Sequence, residues 1–261
     1  MSRTEGLLFP SFYEDIAIFP IGEKLTTPVR NISIPLTALI FMICTGLVLF
    51  LDSAFVASFT YYGQLLAALV ATVYLLWLLW SLDIKWLLPT ILFLPLSYLG
   101  EALFSLVLGY YHYRLGFIPA YVPIGHSILM CVAAMLMAQV TTHQKQLLWV
   151  NWMTGFHIAL ILGALIFFKD TFSFVYAIPF FLLLPYRKRF TLFALFIGLL
   201  VLYVEIVGTW MGAWHWISSP GGLLHTVNPP VGAFVFYVIG KLVAVNMAEG
   251  SGLIKSASEP I

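Results

Sequence analysis

Eight stretches of about twenty mostly apolar residues follow one another with short polar breaks. A helix of that length crosses the roughly 30 Å hydrocarbon core of a bilayer. The stretches are Ile32–Leu51, Gly63–Leu82, Trp86–Leu108, Tyr121–Val140, Trp149–Phe168, Thr171–Pro185, Phe190–Met211 and Pro229–Met247. Hydrophobic residues make up 62% of the chain and charged residues only 9%, against about 25% charged in a soluble domain. No soluble fold of 261 residues hides so much apolar surface. The expected fold is therefore all-α, a polytopic membrane bundle of about eight transmembrane helices. The transmembrane domain covers 32–247, after an interfacial segment 1–31 and before a tail 248–261. The sixth stretch is the shortest, and Pro179 is expected to interrupt it. A seven-span chain with a re-entrant piece there is the alternative.

Loop charge orients the bundle. Eight spans put Arg3, Lys24, Arg30, Lys85, Lys145, Arg187, Lys188, Arg189 and Lys255 on one side, and only Arg114 and Lys169 on the other. By the positive-inside bias both termini are expected to be cytoplasmic, in a membrane of the bacterial inner type. The net charge of +1 gives no argument for nucleic acid as a partner. The two cysteines, Cys44 and Cys131, lie in apolar runs and read as buried free thiols. No cleavable signal peptide is visible in the first thirty residues. Nor is there a Gly-rich phosphate loop, which argues against nucleotide-driven chemistry.

Within this apolar chain one motif recurs. Glu101 lies inside the third span and is followed by Tyr111-His112-Tyr113 and Pro123. Glu205 lies inside the seventh and is followed by Trp214-His215-Trp216 and Pro230. The central histidine comes 11 residues after Glu101 in the first copy and 10 after Glu205 in the second. Gly109 and Gly212 stand three residues before it. The pattern predicts two parallel four-helix repeats, about 32–140 and 149–247, with a site between them. Both acids sit roughly 10 Å below the outer membrane face, counting 1.5 Å per residue.

A carboxyl group at that depth must face a cavity, find a partner or carry a proton. Two such groups can divide proton donation and proton acceptance between them. Glu101 and Glu205 are thus the leading catalytic candidates. His126, near the same depth, is a candidate acid/base partner or orienter of Glu101. His112 and His215 are further candidates at the outer face. Tyr98, Tyr111, Tyr113, Trp210, Trp214 and Trp216 flank the acids as candidate substrate walls. Arg114 is expected to pair with Asp52 or Glu101, or to bind an anionic head group or substrate oxygen.

Other polar residues have simpler readings. His157 is a packing histidine, Lys241 reaches for the cytoplasmic face, and Asn228 caps the last helix with proline in its first turn. Glu101, His112, His126, Glu205 and His215 could make an oxygen-nitrogen ligand set. The histidines are scattered, however, and no HExxH or ExxH pair occurs, so no metal and no other cofactor is expected.

The run Glu101, Gly109-Tyr110-Tyr111-His112-Tyr113-Arg114-Leu115-Gly116, Pro119, Pro123 resembles the integral membrane carotenoid hydratases of the bacterioruberin and myxoxanthophyll type. It covers about thirty residues of the first half. The chain departs from that family in lacking a Thr-Gly-x-Pro-aromatic-Gly turn and in carrying His126 where an apolar or aromatic residue stands. The resemblance implies acid-catalysed addition of water to a terminal double bond of a lipophilic isoprenoid, with the bilayer as the other partner. Independently, a buried acid can protonate an alkene and aromatic faces can stabilise the cation. The same groups would serve a membrane terpene cyclase or isomerase. The remaining alternatives are a metal-dependent lipid oxidase and a non-enzymatic transporter or accessory subunit.

Overall fold

The computed structural model describes residues 33–82, 84–183 and 191–251. The interfacial segment 1–31, the Arg187-Lys188-Arg189 cluster and most of the C-terminal tail lie outside the described residues. The helices are α1 (Ile34–Leu51), α2 (Ala54–Ala57), α3 (Gly63–Trp80), α4 (Ile84–Glu101), α5 (Tyr121–Ala138), α6 (His143–Phe168), α7 (Thr171–Leu183), α8 (Thr191–Trp210) and α9 (Phe234–Gly250). A π-helical turn, Ala102–Val107, continues α4. Two three-residue strands, β1 (Tyr111–Tyr113) and β2 (Trp214–Trp216), form the sheet seen among the described residues.

Seven helices or helix pairs are long and apolar enough to cross a membrane. The chain is an integral membrane protein with an all-α polytopic bundle. Its outer surface is apolar: Leu39, Ile43 and Leu47 of α1 are exposed, as are Val73, Leu76 and Trp80 of α3. In water these side chains would be driven inward; here their solvent is lipid. Hydrophobicity therefore does not sort the inside from the outside. Close packing and polar groups do.

The helices form a centre and a periphery. The apolar window of α5 is 72% buried and that of α8 67%, against 22% for α1 and 28% for α6. Small residues let α5 sit at the middle: Ser127, Cys131, Ala133 and Ala134 are almost fully covered by neighbouring helices. It packs against α1, α3, α4 and α8, and α9 packs against α4 and α8. Where helices turn, glycine sets the approach. A Cβ on Gly63, the first residue of α3, would lie 2.3 Å from the Leu51 carbonyl oxygen at the end of α1. Gly63→Ala is therefore expected to lower stability by about 1–3 kcal/mol, seen as a lower melting temperature of the detergent-solubilised protein.

The sixth expected span is α7. Its described part has 13 residues, or about 20 Å of helix. Pro179 lies within α7 and does not interrupt it, contrary to expectation. The start of α7 is held by Asp170, which accepts from the Ser173 amide at 3.0 Å, the Ser173 hydroxyl at 2.6 Å and the Thr226 hydroxyl at 2.8 Å. Ser173 Oγ in turn accepts from the Gly232 amide at 2.8 Å. This polar clasp ties α7 to the chain entering α9. The helix-cap role expected for Asn228 is also corrected. Its side-chain oxygen accepts from the Trp216 amide at 3.0 Å, and the helical turn before α9 begins at Val231.

Candidate functional site

The site begins with a change of helix type. The α-helix of α4 ends at Glu101 and widens into the π-turn, a deformation that recurs at functional sites. The Ser105 hydroxyl donates to the Glu101 carbonyl at 2.7 Å, meeting one acceptor of the altered ladder. At Gly109 the backbone takes φ +62°, and at Gly212 it takes φ +73°. A side chain at either position would be strained. These two glycines turn the chain out of its helix and into the strand.

β1 and β2 pair antiparallel, with Tyr111 opposite Trp216, His112 opposite His215 and Tyr113 opposite Trp214. Bonds from Arg114 N to Ala213 O and from Ile217 N to Tyr110 O, both 3.0 Å, extend the ladder. The central residue of one motif meets the central residue of the other. That register is the one a twofold axis through the sheet requires of two equivalent strands.

Side chains alternate across a strand. Tyr111, Tyr113, Trp214 and Trp216 therefore turn inward and are buried, while His112 and His215 turn outward and are exposed. Each acid is bound by the rings of its own half. Glu101 Oε2 accepts from the Tyr111 and Tyr113 hydroxyls. Glu205 Oε2 accepts from the indole nitrogens of Trp214 at 2.9 Å and Trp216 at 3.0 Å. Burial, and then the charge of Glu101, holds both tyrosine hydroxyls well above the usual range, so they remain donors at neutral pH.

The second oxygen of each acid meets a residue from a central helix. His126 Nε2 lies 2.7 Å from Glu101 Oε1, and the Tyr237 hydroxyl donates to Glu205 Oε1 at 2.8 Å. The His126 and Tyr237 rings are stacked, with centroids 4.5 Å apart and planes 10° from parallel. A continuous path of contacts thus runs from Glu101 through His126 and Tyr237 to Glu205. An indole nitrogen can only donate, so Glu205 Oε2 is an acceptor in either protonation state. A proton on Glu205 must sit on Oε1 and point at the Tyr237 oxygen, which can accept it.

Both carboxyl groups, His126 and the four inward rings line one cavity, with about 660 Å³ of empty space including its mouth. The rest of its wall is mostly apolar and comes from α1, α3, α5 and α8, including Phe41, Leu49, Tyr74 and Leu129.

Other expected residues are not in this wall. His112 and His215 are excluded by the strand alternation, and the Asn228 side-chain nitrogen is 2.9 Å from His215 Nδ1. Tyr98 and Trp210 are 49% and 80% exposed on the lipid-facing surface. Arg114 is committed elsewhere. Its guanidinium donates to Asp52 Oδ1 at 2.5 Å and to the Asp52 carbonyl at 2.8 Å, and Tyr121 donates to the other Asp52 oxygen at 2.6 Å. Of the partners expected for Arg114, Asp52 is the one observed. If the cavity is where chemistry happens, His112→Ala and His215→Ala should each retain turnover within about threefold, the scale of a change away from the reacting groups. Product yield per mole of folded protein would measure this.

Two further expectations are corrected. Lys241 does not reach the membrane surface; its side chain is fully buried. Cys44 is half-buried at the cavity wall, whereas Cys131 is fully buried. His157 packs as expected, its Nδ1 2.7 Å from the Met153 carbonyl and its ring beside Gly198. The residues missed from sequence are Tyr237, Tyr74 and Tyr121. The first two share a readable signal, a phenol well inside an apolar span and away from the interfacial belt.

Among the described residues no group of three or more His, Cys, Asp and Glu is placed to hold a metal ion. No protein-family model, no curated protein and no solved structure matches the chain.

Proposed function

We propose that the protein is an integral membrane enzyme that adds water to a terminal double bond of a lipophilic, carotenoid-like isoprenoid. The observation that carries this reading is the meeting of Glu101 and Glu205, from opposite halves of the chain, in one aromatic-walled apolar cavity. Soluble reactants do not need such a cavity; a polyene end does. The resemblance of the 101–123 segment to carotenoid hydratases supports the same class.

In this reading Glu205 is the acid. Its Oε1 proton, held toward Tyr237, passes to the less substituted alkene carbon and leaves a tertiary cation. Trp214, Trp216, Tyr111 and Tyr113 present ring faces that favour the cation. Water forms the new C–O bond and gives up a proton to Glu101, oriented by His126 and the two phenols. The product is the tertiary alcohol, the substrate plus one water. Glu101 has gained the proton that Glu205 lost. Proton exchange of both acids with water restores the enzyme with no net proton change. The charge bias of the loops supports cytoplasmic termini in a bacterial inner membrane, which puts the hairpin end of the cavity toward the outer face.

The test is incubation of the purified protein in lipid nanodiscs with an acyclic carotenoid in ¹⁸O-labelled water. Hydration gives a product heavier by one labelled water. A product of unchanged mass would mark cyclisation or isomerisation by the same cation. No conversion of any polyene or polyprenyl substrate would overturn the reading.

A further inference from the structure

One buried group is unused by this chemistry. Lys241 lies on α9 one turn after Tyr237, with 0% exposure and no hydrogen-bond partner for its Nζ among the described residues. Nζ lies over the Phe93 ring at 4.7 Å and the Tyr237 ring at 5.1 Å. The same two rings hold His126: Tyr237 stacks on it at 4.5 Å, and Phe93 meets it edge-on at 5.9 Å. Lys241 thus stands beside the His126–Tyr237 contact and is not part of the cavity lining.

A lone buried ammonium is costly to hold. Ring faces offset only part of that cost, so the rings alone do not hold it. The groups facing this region are Glu101 at the end of α4, Tyr111 on β1, His126 on α5, Glu205 on α8 and Tyr237 on α9 itself. His157 of α6 lies further along α9, against Phe234. Of these, Glu101 and Glu205 can supply negative charge. Both rings over Lys241 also hold His126, which bonds Glu101, whereas Tyr237 alone joins Lys241 to Glu205.

His126 is the obvious rival as Glu101's counter-charge, but its bonding argues against it. His126 Nδ1 is buried without a partner. An imidazolium would leave an unpaired N–H there. A neutral ring with its proton on Nε2 donates to Glu101 and leaves only a lone pair unmet, the cheaper arrangement.

We propose that Lys241 is a positioning residue whose buried ammonium is the counter-charge of the Glu101 carboxylate. The inference rests on Glu101 being the base of the proposed reaction. It assigns the two acids different roles: Glu101 is charged and balanced, whereas Glu205, held by neutral indoles and a phenol, keeps its proton.

The test reads protonation directly and needs no substrate. Infrared spectra of the full protein in nanodiscs are recorded across pH, with the carboxyl bands assigned by Glu101→Gln and Glu205→Gln. In Lys241→Met the pH at which Glu101 ionises is expected to rise by about one unit or more, a tenfold change in proton affinity. Lys241→Arg should stay close to the wild type. A folded Lys241→Met with an unmoved Glu101 band, or with a shift only in the Glu205 band, overturns the proposal. Should Lys241→Met fail to fold, Lys241→Met/Glu101→Gln is expected to recover folded yield, because both charges are then gone. No recovery overturns it equally. Wild-type protein that shows the band shift on Lys241→Met yet converts no polyene would sink the hydratase reading and leave the charge pair standing.

Discussion

Glu101→Gln and Glu205→Gln are each expected to lower hydration by about 10²–10⁴-fold, the usual worth of a positioned acid or base, while leaving a folded protein. The fold should survive because glutamine keeps all the hydrogen bonds at 205 and those from the phenols at 101. At position 205 the amide oxygen can still accept from Trp214 and Trp216, and the amide nitrogen can face the Tyr237 oxygen, which accepts as well as donates. At 101 the oxygen can still accept from the two phenols, but the nitrogen can face His126 Nε2 only if the ring proton moves to the partnerless Nδ1, and Lys241 must release its proton; Glu101→Gln should therefore be the less stable of the two. What is lost is the transferable proton in one case and its acceptor in the other. The double variant should be little worse than either single one, since acid and base act on one substrate molecule as a unit. Product formation by mass spectrometry, normalised to monodisperse protein, measures this. Turnover persisting in both single variants would remove the carboxyl groups from the chemistry.

The second large effect is on stability. Arg114→Met is expected to destabilise the protein by about 3–5 kcal/mol, because it strands a buried carboxylate. Asp52 has no exposed surface, while the Arg114 side chain is 18% exposed. Removing Asp52 instead leaves a guanidinium with some access to water, so Asp52→Asn should cost less. The pair variant Asp52→Asn/Arg114→Met should be more stable than Arg114→Met alone. Unfolding by denaturing detergent, followed by tryptophan fluorescence, gives the three values. Equal losses in all of them would mean that the pair is not coupled. Because the Arg114 backbone extends the strand ladder, this ion pair also anchors β1 to the end of α1.

Much of this architecture was legible because each part leaves a local mark. An apolar run needs no partner to be recognised, and a carboxyl group within one stands out at once. The two aromatic-histidine-aromatic triplets stood out through their spacing alone, whereas their pairing as strands is a property of the fold. Other features depend on who the neighbours are. His112 and His215 drew attention as ionisable groups, yet the alternation of a strand puts them opposite the aromatics that flank them. Trp210 follows Glu205 by five residues, or about 140° around a helix, and so faces lipid rather than the cavity. The Asp52–Arg114 pair spans 62 residues and has no sequence signature. Lys241 looked free to extend to the surface because its long side chain usually can; the rings of Phe93 and Tyr237 that cover it come from two different helices.

The hairpin also makes the two acids unlike each other. One strand follows Glu101 and carries Tyr-His-Tyr; the other follows Glu205 and carries Trp-His-Trp. Phenols can take or give a hydrogen bond, whereas indoles only give. Two carboxyl groups at facing points of one sheet are thereby given different tasks: the phenols on Glu101 can adapt to a gain or loss of its proton, and the indoles on Glu205 cannot.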